Sequence, residues 1–145
     1  MRSGGGRFHD DADREPTTYL VDSLETAWLE VKAHAGEARA NRRAFRAWRI
    51  ILPEGLARKL VNLRVQGQQQ RHHITEAELE ADPAPESVKA LARRLRREGK
   101  GGIIYRSVRN RPEGICVAVF LEGGEAELSV EPADDEWEQF IQGEG

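Results

Sequence analysis

The sequence predicts a single α+β domain: a mixed or antiparallel sheet carrying two main helices. Three observations lead there. The chain has 145 residues, which suits one domain at roughly 100 to 200 residues each. Two segments repeat apolar residues at the helical period, while several short runs are β-branched and aromatic. These segments follow one another as β, α, β, β, α, β, β, β, without the strict alternation of a doubly wound sheet. Hydrophobic residues make up 39% of the chain and there are 14 glycines, enough apolar material for a core and too much for wholesale disorder.

Residues 1–16, rich in Gly and Asp and without periodicity, read as a loop. Thr17 to Val21 reads as a strand. Asp22, with Glu25 three residues on, predicts a capping box opening a helix from about Ser23 to Ala35. Its buried stripe is Leu24, Ala27, Trp28, Val31 and Ala35, and Gly36 stops it. Phe45 to Leu52 is expected as a strand ended by Pro53, and Ala57 to Val65 as another. Gln66 to His73 is polar and low in complexity, the core of a mobile loop expected over residues 66–87. A second helix, from about Glu86 to Glu98, buries Val88, Leu91, Ala92 and Leu95 and places Lys89, Arg93, Arg94, Arg96 and Arg97 on its outer faces. Gly99, Gly101 and Gly102 terminate it. Ile103 to Tyr105, Gly114 to Leu121 and Ala126 to Glu131 complete the strands, and residues 132–145 form an acidic tail.

Charge narrows the function classes. There are 22 basic and 25 acidic residues, a net −3, whereas a dedicated nucleic-acid binder carries a basic excess; no direct DNA binding is expected. The charges are segregated: from Arg39 to Arg71 nine basic residues face one acid, Glu54, and from Glu122 onward nine acids face no base. Pairing of the two segments within the fold is the simplest account. No apolar run approaches the ~20 residues of a membrane span, and the first residues are too polar for a secretory signal. Cys116 is the single cysteine, so no intrachain disulfide forms and a reducing, cytoplasmic location is expected. His9, His34, His72 and His73 lack metal-ligand spacing, and no metal is expected. Gly99-Lys-Gly-Gly102 follows a helix and precedes a strand, the reverse of what phosphate binding at a helix N-terminus needs.

Four residues stand out when taken together. Arg7 lies in Gly4-Gly-Gly-Arg-Phe8, where glycine lets the backbone approach a ligand and a guanidinium can fork onto phosphate. Tyr19 lies near a strand end, Glu30 on the flank of the first helix and Ser107 just past the strand Ile103 to Tyr105. Singly, these read as a loop charge, a core aromatic, a solvated helix residue and a turn hydroxyl.

The set resembles the RES-domain family, the toxins of RES-Xre toxin-antitoxin systems. Gly5-Gly-Arg-Phe8 is similar to the family's Gly-Gly-Arg-Trp, and Tyr19 to His34 to its Tyr-strand-helix-Glu segment. Gly102-Ile-Ile-Tyr-Arg-Ser-Val-Arg109 with Gly114 to Phe120 is similar to its Gly-Ile-x-Tyr-x-Ser-x-Arg and following strand. Phe8 is followed by an acidic stretch where the family has Asn-Pro-Pro-Gly.

The resemblance implies a fold related to ADP-ribosyltransferases and cleavage of the nicotinamide glycosidic bond of NAD⁺, a substrate and not a resident cofactor. Water, phosphate or a protein side chain would be the acceptor. It assigns Glu30 and Ser107 to catalysis and Arg7 and Tyr19 to NAD binding. Glu30 would face the positive charge that grows on the ribose, Arg7 would hold the diphosphate, Tyr19 would offer its ring and Ser107 would orient the substrate without acting as a nucleophile. The expected partner is a cognate Xre-type helix-turn-helix antitoxin, in an oligomer with it. Two other readings of the same residues are a protein ADP-ribosyltransferase and a catalytically silent module that only binds its antitoxin.

Overall fold

The alternating apolar runs build a four-stranded sheet, in a computed structural model that describes residues 8, 17–35, 45–120 and 128–143. Strand β1 (Thr17–Val21) leads to helix α1 (Leu24–Ala35), β2 (Trp48–Ile51), the single turn α2 (Glu54–Ala57) and β3 (Leu60–Asn62). Three helices follow, α3 (Gln66–Arg71), α4 (Glu76–Glu80) and α5 (Glu86–Arg97), then β4 (Gly102–Arg106), β5 (Ile115–Phe120), β6 (Ser129–Pro132) and α6 (Asp134–Gly143). The main sheet runs β1-β5-β4-β3, and β2 pairs with β6 in a separate ribbon. β5 is antiparallel to both β1 and β4, while β3 is parallel to β4, so the α+β class with a mixed sheet holds.

Side chains alternate across the pleat, and this register sorts the core. Tyr19 and Val21 lie opposite Ala118 and Cys116, which pair in turn with Ile103 and Tyr105. α5 covers this face with the four residues its periodicity picks out, Val88, Leu91, Ala92 and Leu95, each nearly inaccessible. A parallel β3–β4 pair needs a crossover, and the three helices supply it. Leu56 and Val119 anchor a smaller cluster on the opposite face, joined by Leu20, Leu52, Val117 and Leu128.

Two glycines serve this packing. Gly99 takes φ +80°; its N–H reaches the Arg96 carbonyl and that of Lys100 the Leu95 carbonyl, the Schellman end of α5. A Cβ on Gly102 would lie 2.1 Å from the Ala118 carbonyl oxygen, so β4 meets β5 closely only with glycine there.

Several expectations are corrected. Ser23, not Asp22, caps α1, accepting the Thr26 N–H at 3.1 Å; Asp22 instead accepts the Ile115 N–H on β5. The strand expected over Ala57 to Val65 is shorter: Pro53 at φ −60° opens α2, which takes in Ala57, the Pro53 carbonyl accepting the Leu56 and Ala57 N–H groups, and only Leu60–Asn62 is extended. The expected loop over 66–87 contains α3 and α4. Glutamine forms helix well, and buried Gln69 satisfies its amide by donating to the Leu63 carbonyl and Glu76, each at 2.8 Å. The acidic tail is α6: Trp137 is buried against Trp28 and stacks on Phe140, and three acids in its first turn suit the helix dipole. Arg96, expected on the outside of α5, is buried, donating to Thr17 Oγ1 with its guanidinium over the Phe120 ring. The two main helices are joined by four others, of which α6 is the longest.

Candidate active site

Ser107 sits immediately after β4, where the chain leaves the sheet to turn back into β5. Its N–H donates to the Gly114 carbonyl at 2.8 Å, and Gly114 donates to Asn110 at 2.7 Å, closing the turn on itself. The Ser107 hydroxyl is fully buried and accepts the N–H groups of Arg109 and Asn110, each at 3.1 Å. With both lone pairs engaged, its one proton points to a single acceptor. That acceptor is Glu30 Oε2, at 2.9 Å.

Glu30 reaches this point because α1 is pinned to the same turn one helical turn earlier. Thr26 Oγ1, buried, receives the Asn110 amide at 2.9 Å and the Ser23 hydroxyl at 3.0 Å. Gly114 leaves the room for this: a Cβ there would lie 2.8 Å from Thr26 Oγ1. Residues four apart share a helix face, so fixing Thr26 fixes Glu30 above Ser107. Asp22 adds a second tie, exchanging two backbone-directed hydrogen bonds with Ile115.

The two oxygens of Glu30 differ. Oε2 takes the Ser107 hydroxyl and the Cys116 thiol, the latter at 3.7 Å, whereas Oε1 has no hydrogen-bond partner among the described residues. Glu30 is half-buried, so among the described residues the carboxylate is held by one oxygen alone. Burial, and then the negative charge of Glu30, push the Cys116 thiol up to about 12; it stays protonated beside the carboxylate and is not a nucleophile at neutral pH.

Tyr19 lies on the same sheet face as Cys116, two positions along β1 from the Val21–Cys116 pair. Its hydroxyl oxygen accepts the Phe8 N–H at 3.0 Å. Phe8 is fully buried and meets Tyr105 edge-on at 4.7 Å. The residue following Arg7 is therefore anchored on this face; Arg7 itself lies outside the described residues, as do His9 and Gly36. The structure thus joins Glu30 directly to Ser107 and sets Tyr19 on the adjoining face.

Sequence reasoning missed the groups that hold the turn from its other side. Glu76 accepts from Arg106 at 3.2 Å and from Arg111 at 2.7 Å, Arg111 also reaches Glu80 at 2.7 Å, and Arg109 reaches Asp82 at 2.7 Å. Burial pushes the Glu76 carboxyl upward, but the hydrogen bonds from Arg111 and Gln69 and the charge of Arg106 outweigh it, holding the group below its ordinary range. The sequence holds only a charge pattern for these pairs, acids at 76–82 and arginines at 106–111, and charge alone does not specify partners. Among the described residues no three His, Cys, Asp or Glu side chains are grouped to hold a metal, and no helix is long and apolar enough to cross a membrane.

The family model for the RES domain matches residues 1–140. The chain belongs to the RES-domain family. Its match spans β1 through most of α6 and takes in Glu30, Ser107, Tyr19 and Arg7. This family is associated with NAD-acting, toxin-type enzymes. No curated protein and no solved structure matches the chain.

Proposed function

We propose that this RES domain consumes NAD⁺ by breaking the bond between nicotinamide and ribose, as the toxin of a toxin-antitoxin pair. The observation that carries the reading is the divided carboxylate: Glu30 Oε2 tied to Ser107, Oε1 without a hydrogen-bond partner among the described residues. When the C1′–N bond breaks, the bonding pair leaves with neutral nicotinamide and positive charge spreads over the ribose ring and C1′. A fixed carboxylate stabilises that charge without reorganising during the reaction. Oε1 can accept a ribose hydroxyl, while Ser107 and Cys116 keep Oε2 from rotating away. Water or phosphate then supplies the oxygen that bonds C1′ and releases a proton.

Ser107 in this reading positions Glu30. Its lone pairs are already given to two backbone amides, so it neither attacks nor receives the substrate proton. Tyr19 offers its ring to the nucleoside and secures Phe8, next to Arg7, whose guanidinium is suited to the diphosphate. The cognate antitoxin is a protein that covers this face.

The test is nicotinamide release from NAD⁺ by purified protein freed of any partner, resolved chromatographically with and without phosphate. Release above that of a heat-killed control, lost in Glu30→Gln, is the expected result. A folded protein that releases none would reduce the chain to an antitoxin-binding module.

A further inference from the structure

Beside the outer strand of the sheet lies a cleft of about 490 Å³, lined by β3, α3 with its C-cap, and the turns that follow α2 and α5. Glu30, Ser107, Tyr19 and Cys116 line no part of it. Its chemistry is one-sided. Four cations border it, Arg58, Lys59, Arg71 and Lys100, against one acid, Glu98. Arg58 is engaged by Glu54 and Glu98 by Arg94. Lys59, Arg71 and Lys100 are exposed and make no ion pair among the described residues.

The neutral groups also donate. Asn62 Oδ1 is consumed by the backbone and side-chain N–H groups of Arg64, which leaves its NH₂ as the available end. Gln68, half-exposed on α3, adds a second side-chain amide with no hydrogen-bond partner among the described residues. His72, on the same wall, is held below its ordinary value by burial first and then by the neighbouring Arg94, against the opposing pull of Glu98.

From these observations we propose that the cleft is a second binding site, for a soluble molecule carrying a chain of phosphates, such as a nucleoside di- or triphosphate. Cations, together with an Asn62 amide whose oxygen is already spent, match linked phosphate oxygens. The volume falls within the roughly 300 to 1,000 Å³ of small-molecule sites, larger than a single phosphate needs. Val65, half-exposed at its edge, gives an apolar surface for the rest of such a molecule. An acidic peptide added as a strand is disfavoured, because β3 has only three residues and the Asn62 carbonyl is already taken by the Val65 N–H.

The experiment is calorimetric titration of the full chain with inorganic tripolyphosphate, with ADP, with vesicles containing phosphatidylinositol bisphosphate, and with a single-stranded oligonucleotide. Tripolyphosphate and ADP should bind saturably, one per chain, and bind at least ten-fold more weakly to the triple variant Lys59→Gln, Arg71→Gln, Lys100→Gln. All three positions are exposed, so the variant's melting temperature should stay that of the parent. Glu30→Gln should bind tripolyphosphate like the parent, and the triple variant should keep any NAD⁺ turnover of the parent, so this site and the reading of Glu30 fail separately. Absence of saturable binding, unchanged affinity in the triple variant, preference for the vesicles or for a single-stranded oligonucleotide, or loss of NAD⁺ turnover in the triple variant would each overturn the proposal.

Discussion

Glu30 and Ser107 make one unit, yet substitution should separate their contributions. Glu30→Gln keeps an oxygen able to accept the Ser107 hydroxyl and removes only the charge, so the fold should persist while nicotinamide release falls by about 10² to 10³. Initial rates set beside thermal melts check this; retained activity would make Glu30 a bystander. Ser107→Ala behaves differently, since it leaves the N–H groups of Arg109 and Asn110 without their acceptor and Glu30 Oε2 with the Cys116 thiol alone. A buried polar group so stranded costs about 1 to 3 kcal/mol, and a melt should register a loss on that order together with reduced turnover. Cys116 provides a pH signature. The sign follows from a folded value raised above the unfolded one: the native state holds the proton more tightly, so this stability is fully present below about pH 9 and is lost as the pH rises toward 12. Denaturant midpoints across that range should fall less in Cys116→Ala than in the parent, and iodoacetamide at pH 8 should modify Cys116 only after unfolding. The candidate residues were legible because their order and spacing match a family pattern. Thr26, Asn110 and Gly114 were not, because a hydroxyl that bridges two elements 84 residues apart leaves no local trace.

Elements were legible where one period dominated. α5 shows its four buried positions plainly, and Leu95, fully buried, tests them: Leu95→Ala should cost about 2 to 5 kcal/mol by the group removed and the cavity left, read from the urea midpoint. β1 and β4 were equally plain from their β-branched and aromatic content. α3 and α6 were hidden by composition. The Gln run of α3 resembles a polar linker until Gln69 is seen bonded inside the fold, and the acids of α6 mask the spacing of Trp137, Phe140 and Ile141. The cap of α1 shifted by one residue because Asp22 had a competing partner on β5, a choice that depends on the strand brought beside it. Arg96 was misplaced since a pattern of charge cannot foresee that Phe120 and Thr17 will cover a guanidinium.

At the scale of the molecule, the segregated charges meet as anticipated in one place. Arg46 pairs with Asp134 at 3.1 Å, and Arg49 with Glu131 at 2.8 Å and with Glu136, across the ribbon and α6. These pairs are exposed and screened by salt, so Arg49→Ala should shift the melt little, and less still at high ionic strength. Lys59 and Arg71, from the same basic segment, take no part in that pairing.

The order β1-β5-β4-β3 sets a timetable for a growing chain. β1 is made first, but its one partner in the sheet, β5, ends at Phe120, and Glu30 meets a hydroxyl encoded 77 positions later. Contacts so distant in sequence form late, after loop closure has been met. A polypeptide stopped before β5 would carry β1 with nothing to pair, and one stopped before Ser107 would also carry Glu30 with nothing to steady it. If the chain is the NAD⁺-consuming toxin we propose, interrupted synthesis should therefore yield inactive fragments, and activity should appear only once β5 has left the ribosome.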